Sequence, residues 1–538
     1  MSGLTLQTTQ IILLILLLSV VAFAALARKL QTPYPIILVI GGLVLGFVPG
    51  MPKVPLDPEL IFFVVLPPLL YSAAWNTSWK DFRHNLVSIA LLAIGLVAFT
   101  VLAVAVVAPF LLPGFDWRIG FVLGAVVATT DSIAATSIAK RIGLPKRIVD
   151  LLEGESLVND ATGLLALEFG TALVVYRQNP TITSALWQLV YLSVTGIVVG
   201  LLLGRIVEWV ELRIDDGPIE IAISIFVPYS AYLAGELIHA SGVLTVVTAG
   251  LYLGRKSSRF FSPSVRLQSN AVWNALTFIL NGLVFVTIGL QLPYVLGEIR
   301  GLQRTELLMY GGLFSAFLIL LRLLWTFPAA SVAYLIRTRV LHQDETWPGP
   351  RQVFVVGWTG MRGVIALAAA ISLPQMLANG TGFPQRSLII FLTFSVILVT
   401  LILQGLTLPP LIRMLGLAGE RGTECEVDEA RRLVLEAALK YLDESRGESS
   451  GSSEVYDDLA QHYRHRLASL ECIPDHIYPH SPDQDARYLD VSRDVVNVER
   501  ETVLRLRHEG RISNEIWREI ERELDLSAIR LGPKSKQA

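Results

Sequence analysis

Apolar residues run through the first 413 positions in long blocks separated by short polar stretches, and then the pattern ends. A helix needs about 20 apolar residues to span a bilayer. Thirteen blocks, to within one, meet or approach that length: 9–27, 34–49, 59–75, 86–111, 118–139, 148–176, 184–208, 218–239, 242–254, 271–296, 306–336, 352–377 and 387–412. The second is short and carries Gly41, Gly42 and Gly46, and the ninth is short enough to be re-entrant. Residues 420–538 are rich in Glu, Arg and Asp, with amphipathic helices expected at 427–444, 491–507 and 514–524. Ser513 is the expected N-cap of the last of these, and 447–453 (GESSGSS) the expected linker. The pattern predicts an all-α polytopic membrane protein: a transmembrane domain over 1–413 and a helical tail over 414–538.

Composition agrees. Of 538 residues, 53% are hydrophobic and 17% charged, against about 25% charged in soluble domains. A net charge of −2 carries no nucleic-acid signature. Cys425 and Cys472 both fall in the tail and read as free thiols. The tail has no phosphate loop or nucleotide fingerprint, so neither an enzyme nor a cofactor is expected. No Lys or Arg precedes the apolar run at the N-terminus, whereas Arg28 and Lys29 follow it, so it reads as a retained helix rather than a signal peptide. With the N-terminus outside, inner loops carry 17 Lys and Arg and outer loops 6, the latter including Lys53, Arg177 and Arg300. The positive-inside rule then places the tail in the cytoplasm. Trp75, Trp79, Trp117, Trp187 and Trp209 read as interfacial anchors.

Charged residues inside the apolar blocks change the picture. A carboxylate near the bilayer centre costs several kcal/mol and marks a functional site by default. Asp131 lies about 21 Å along the fifth segment, Asp160 about 18 Å along the sixth and Arg362 about 17 Å along the twelfth, at the helical rise per residue. All three fall near mid-membrane. Ser156 and Asp160 share one helix face, and Glu155 and Asn159 the neighbouring one. Such an oxygen-rich patch suits hard cations. Thr129, Thr130, Asp131 and Ser132 can bond their own backbone and open a helix, and Gly357, Gly360 and Gly363 invite unwinding. Two interrupted helices of opposite direction, one in each half of the chain, point to an inverted-repeat transporter site. Arg362 is the expected partner of Glu155, with Arg322 as a further candidate, leaving Asp160 free to exchange ligands. Asn281 reads as an interhelical hydrogen-bonder.

Several strings are familiar: Leu66-Pro67-Pro68-Leu69-Leu70, Thr130-Asp131, the run from Leu152 to Asp160 (LEGESLVND), Ser241-Gly242-Val243-Leu244, and Gly360-Met361-Arg362-Gly363. Together they resemble the bacterial sodium/proton exchangers of the monovalent cation:proton antiporter superfamily, NhaP-like branch, over about residues 10–413. The tail strings Gly510-Arg511-Ile512-Ser513 and Arg522-Glu523-Leu524-Asp525 also look like tails of bacterial members. The resemblance implies a thirteen-helix homodimer in the cytoplasmic membrane, with inverted repeats and two crossed, broken helices. It maps the ion-binding aspartate onto Asp160, the supporting ligands onto Thr130, Asp131, Ser156 and Asn159, and the structural ion pair onto Glu155 with Arg362. Na⁺, or Li⁺ or K⁺, would sit at Asp160, Thr130 and Ser156, exchanging with H⁺ in the service of pH and sodium homeostasis. An Asn-Asp pair goes with electroneutral exchange in that family. Two departures stand out: Tyr71-Ser72 replaces a frequent acidic residue, and Ser132 replaces a frequent Pro. The rival reading is a gated cation channel or a sensor on a transporter scaffold. A third is sodium-coupled uptake of an organic anion.

Overall fold

The computed structural model describes residues 6–30, 32–48, 58–175, 182–299, 303–343, 346–377, 381–418, 422–448, 453–468, 482–509, 511 and 514–530. Lys53, Arg177, Arg300, Cys472, Gly510, Ile512, Ser513 and most of the expected linker (449–452) lie outside them, as do the side chains of Ser132, Cys425 and Arg522. The chain divides into two compact units, Met1–Gly419 and Glu420–Ala538.

The first unit is built from helices, and each of the thirteen apolar blocks coincides with a helix or a pair of half-helices. Among the described residues, eight helices are long and apolar enough to cross a membrane. Tyr34–Gly46, Ile61–Asn76 and Trp117–Ala128 are shorter apolar helices. The ninth block, expected to be short, is a continuous 19-residue helix, Gly242–Phe260, capped by the Ser241 hydroxyl on the Leu244 amide. Five-residue stretches of wider helix interrupt four other segments at Ile61–Val65, Leu91–Gly95, Ile336–Val340 and Thr400–Gln404. Such bulges free local backbone groups and cluster at functional places.

Two segments are broken outright. The fifth forms Trp117–Ala128 and Ser132–Ile142, and the twelfth forms Pro350–Trp358 and Val364–Ile371. The sixth, Lys146–Val175, is continuous for 30 residues. It packs against Trp117–Ala128 and Ser132–Ile142 and carries the buried carboxylates Glu155 and Asp160. Among its described residues the second unit holds four helices, Gly422–Glu448, Ser453–Ala468, Pro482–His508 and Asn514–Arg530. The second of these was not expected from the sequence, because its run of Asp, His and Arg has a weak apolar stripe. The last two helices close a small core of Val496, Val503 and Leu524, with Arg507 over the ring of Trp517.

Candidate functional site

The two broken helices meet at their breaks. The Asp131 amide donates to the Met361 carbonyl at 2.8 Å, so the non-helical residues 129–131 and 359–363 bond each other rather than their own helices. In a membrane, freed backbone groups must find partners inside the protein. Two glycines allow the approach. A Cβ on Gly363 would sit 2.5 Å from the Asp131 Cβ, and one on Gly360 would sit 2.2 Å from Cδ of Arg322. The Gly-Met-Arg-Gly string is thus a spacing device: its first glycine admits an arginine, and its second admits an aspartate.

Four half-helix ends converge here, and the charges around them match the helix dipoles. The carbonyl ends are met by guanidinium groups. Arg362 donates to the carbonyls of Ala128 (2.6 Å) and Thr129 (3.0 Å), closing the end of Trp117–Ala128. Arg322 donates to the Val356 carbonyl at 3.2 Å, near the end of Pro350–Trp358. The amide ends meet a carboxylate: Asp131 immediately precedes Ser132–Ile142 and lies against Gly363, the cap of Val364–Ile371. The Arg362 amide also donates to the Thr400 hydroxyl at 3.2 Å, which anchors the crossing to the bulged segment.

The expected Glu155–Arg362 pair does not form. Glu155 pairs instead with Arg322, whose two terminal nitrogens donate to its two carboxylate oxygens at 2.5 and 2.8 Å. Both side chains are almost fully buried. The reason is positional. Arg362 lies in the break itself and is consumed by backbone carbonyls. Arg322 projects from the neighbouring helix Arg304–Leu335 through the gap left by Gly360. In sequence Arg322 sits in an ordinary apolar helix (LLRLL), and only its charge marked it out.

The remaining ligand candidates converge. The Ser156 hydroxyl donates to the Thr130 carbonyl at 2.9 Å, the Asn159 amide group donates to the Thr130 hydroxyl, and the Thr130 hydroxyl reaches Glu155 at 3.3 Å. Thr130, Ser156, Asn159 and Asp160 are all buried, and Asp131 is half-buried. Asp160 stands apart from them: its Oδ1 is buried and has no hydrogen-bond partner among the described residues. It lines a cavity of about 70 Å³ together with Thr130, Asp131, Ser156 and the half-buried Glu153, opposite Ile61, Leu66 and Phe285. Among the described residues, Asp131, Glu155, Asp160 and the half-buried Glu153 bring more carboxylates to the crossing and its cavity than Arg322 and Arg362 bring guanidinium groups.

Asn281, expected to bond between helices, makes no side-chain hydrogen bond among the described residues and lines the Asp160 cavity instead. Tyr71 and Ser72 do not line that cavity. They border a separate one of about 230 Å³ with Asn270, Trp273 and Asn274.

Comparison with known proteins identifies the family of the membrane unit. The family described as sodium/hydrogen exchanger, transmembrane, matches residues 13–414. A Na(+)/H(+) antiporter of Aphanothece halophytica, ApNhaP, is 34% identical over 415 residues, covering 77% of this chain and 75% of its own. A sodium, potassium, lithium and rubidium/H(+) antiporter of Bacillus pumilus is 32% identical over 452 residues, covering 82% and 66%. An uncharacterized Na(+)/H(+) exchanger of Mycobacterium tuberculosis is 31% identical over 526 residues, 97% of this chain and 96% of its own, so that likeness includes the tail. Among solved structures, the sodium proton antiporter MjNhaP1 of Methanocaldococcus jannaschii has the same fold, with a TM-score of 0.58 at 21% identity, covering 76% of this chain and 99% of that one. From the family match over the membrane unit and the relatives that share it, the chain belongs to the transmembrane sodium/hydrogen exchanger family.

Proposed function

We propose that this protein is a secondary antiporter that exchanges one monovalent cation, Na⁺ first and Li⁺ or K⁺ next, for one H⁺, with both competing for Asp160. The observation that carries this reading is the buried Asp160 oxygen without a protein partner, in a cavity at the crossing of two broken helices. An excess of carboxylates over guanidinium groups around this cavity suits uptake of a small positive species, and the Asn159-Asp160 pair is the ground for reading the exchange as electroneutral. A proton neutralises Asp160 directly. A cation needs more oxygens, which Thr130, Ser156 and Asn159 supply beside it, with Asp131 contributing through water. Glu155 with Arg322, and Arg362 with its two carbonyls, serve as fixed counter-charges that hold the half-helices open.

Transport follows from the cost of moving charge. A bare carboxylate is too costly to carry through the hydrocarbon layer, so the crossing and its partner helix change sides only when Asp160 is loaded or protonated. Coupling is then a consequence of electrostatics and needs no separate latch. The loop charges support thirteen spans, an outer N-terminus and a cytoplasmic tail. The wider reading is a homodimer in the cytoplasmic membrane, contributing to pH and sodium homeostasis. The tail is assigned a regulatory role, tested by deleting residues 420–538: an unchanged rate and pH profile would remove that assignment.

The test of the exchange itself uses purified protein in liposomes with an inside-acid gradient reported by a quenched dye. Pulses of Na⁺, Li⁺ and K⁺ are given to wild type and to Asp160→Asn. Dequenching by a cation in wild type alone is expected. Full exchange by Asp160→Asn, or unitary currents in place of silent exchange, would overturn the proposal.

A further inference from the structure

We infer that Asn281 is a ligand of the transported cation, offered from outside the crossing, so that the cation's coordination shell is complete only when the crossing faces this helix. The inference deepens the reading of Asp160 as the exchange site and rests on it.

Asn281 lies on the helix Pro263–Glu298 and is 7% exposed. Its amide carries two donor hydrogens and an acceptor oxygen. None of these has a hydrogen-bond partner among the described residues. The side chain is directed into the same cavity as Asp160 Oδ1, which also lacks a partner. A buried carboxylate oxygen without a partner and an amide with no protein hydrogen bond, both lining one small cavity, point to one ligand between them.

Asn281 is also distinctive in where it comes from. The other polar side chains that line this cavity belong to residues 129–131 or to the helix Lys146–Val175. The rest of the wall, from Ile61 to Ala73 and from Val284 to Phe285, is apolar. Asn281 is therefore, among the described residues, the polar lining residue contributed from outside the breaks and the helix Lys146–Val175. Its helix packs chiefly against Tyr34–Gly46. That contact is tight: a Cβ on Gly42 would lie 2.2 Å from the Val286 carbonyl oxygen, five residues from Asn281. Its position is fixed by this partner, whereas Thr130 lies in the crossing and Ser156, Asn159 and Asp160 lie on the helix Lys146–Val175 packed against it.

The chemistry separates cation from proton. A dehydrated Na⁺ or Li⁺ takes several hard oxygens, and an amide carbonyl is one of the standard donors. A proton on Asp160 needs only one carboxylate oxygen. Removal of the amide should therefore weaken cation binding and leave proton binding unchanged, which a general packing defect would not do.

The experiment uses full-length protein in liposomes, comparing wild type, Asn281→Ala, Asn281→Ser and Asp160→Asn. Half-saturation for Na⁺, Li⁺ and K⁺, and the dependence of exchange on pH at saturating Na⁺, are measured for each. Stabilisation against heat by added Na⁺ is measured in detergent as a binding readout independent of transport. Asn281→Ala is expected to raise the Na⁺ half-saturation concentration about tenfold, the scale of one lost hydrogen-bond-like contact to a charge. Maximal rate and pH dependence should stay within twofold (roughly 0.4 kcal/mol). Asn281→Ser, which restores one oxygen, should recover part of the affinity. An unchanged half-saturation in Asn281→Ala, or a fall in rate with Na⁺ stabilisation intact, would overturn the inference while leaving Asp160 in place. Exchange by Asp160→Asn, or none by wild type, would remove the underlying reading and this inference with it.

Discussion

Glu155 and Asp160 lie five residues apart on one helix, both almost fully buried at 1% and 3% exposure, yet their surroundings differ completely. Glu155 has both oxygens engaged by Arg322 and a further bond from Thr130. Asp160 has an oxygen with no partner and faces a cavity. The pair separates two uses of buried charge. A carboxylate that is fully paired has nothing to gain from an incoming cation and serves as fixed structure. A carboxylate left short of partners has a strong preference for any small positive species that can reach it, and so becomes the site of exchange. Depth and burial alone would not have told them apart.

The largest expected effect comes from removing the exchangeable charge. Asp160→Asn should bring exchange to background while thermal stability in detergent holds or rises, because an amide no longer needs a counter-charge. A large loss of stability would place Asp160 with Glu155 as structure and collapse the contrast. In wild type, the Na⁺ half-saturation should rise as pH falls, since H⁺ and Na⁺ compete for one carboxylate. A half-saturation independent of pH would mean separate sites.

Breaking the fixed pair should show the opposite signature. Arg322→Met alone leaves Glu155 charged and unpaired, at a cost of about 3–5 kcal/mol. The melting temperature in detergent should drop sharply. The double change Glu155→Gln with Arg322→Met should restore much of it, because no lone charge remains. If the double variant were as unstable as the single one, Glu155 would not be the reason for Arg322. A smaller effect is expected from Gly363→Ala, whose Cβ would come within 2.5 Å of the Asp131 Cβ. Overpacking of this kind costs about 1–3 kcal/mol and should slow exchange by prising the crossing apart. Wild-type rates in this variant would show that the contact yields easily.

The smallest effect lies in the tail, where charges are exposed. Arg432 bridges Glu429 and Glu436 one helical turn away on either side, and its hydrogen bonds hold the Glu429 carboxyl below the usual carboxylate range. A folded-state value below the unfolded one contributes stability at neutral pH, and that contribution is lost as pH falls through the carboxylate range. Arg432→Ala should therefore raise amide hydrogen exchange within 422–448 slightly at neutral pH and low salt, and not at acidic pH or high salt. A large change at any pH would mean that exposed pairs in the tail matter as much as buried ones in the membrane unit.

Much of the site could be read before any coordinates. The depth of Asp131, Asp160 and Arg362 follows from helical rise and bilayer thickness, and the Ser156–Asp160 face from helical periodicity. Helix breaks were expected where Thr129, Thr130 and Asp131 compete with the backbone and where glycines cluster, and both breaks occur there. Partner choice among the charges was not legible. Arg362 and Arg322 are equally charged and comparably deep, and sequence spacing says nothing about which carboxylate or carbonyl each can reach across three helices. The role of Asn281 was missed for a similar reason: an amide in an apolar helix looks the same whether it bonds a neighbouring helix or faces a cavity.

The sequence by itself determined that this chain is helical and crosses a membrane repeatedly, because apolar runs in a bilayer have no other way to satisfy their backbone. It also determined that carboxylates and arginines within the apolar blocks must find partners inside the protein, because isolated charges in a bilayer are too costly. Which of them meet was decided only by the tertiary structure. Gly360 and Gly363 set how closely the broken helices pass, and that distance assigns Arg322 to Glu155, Arg362 to the half-helix carbonyls, and a free oxygen to Asp160. Electrostatic energy in a low-dielectric interior varies steeply with distance and direction, and those are properties of the fold, carried by no residue alone.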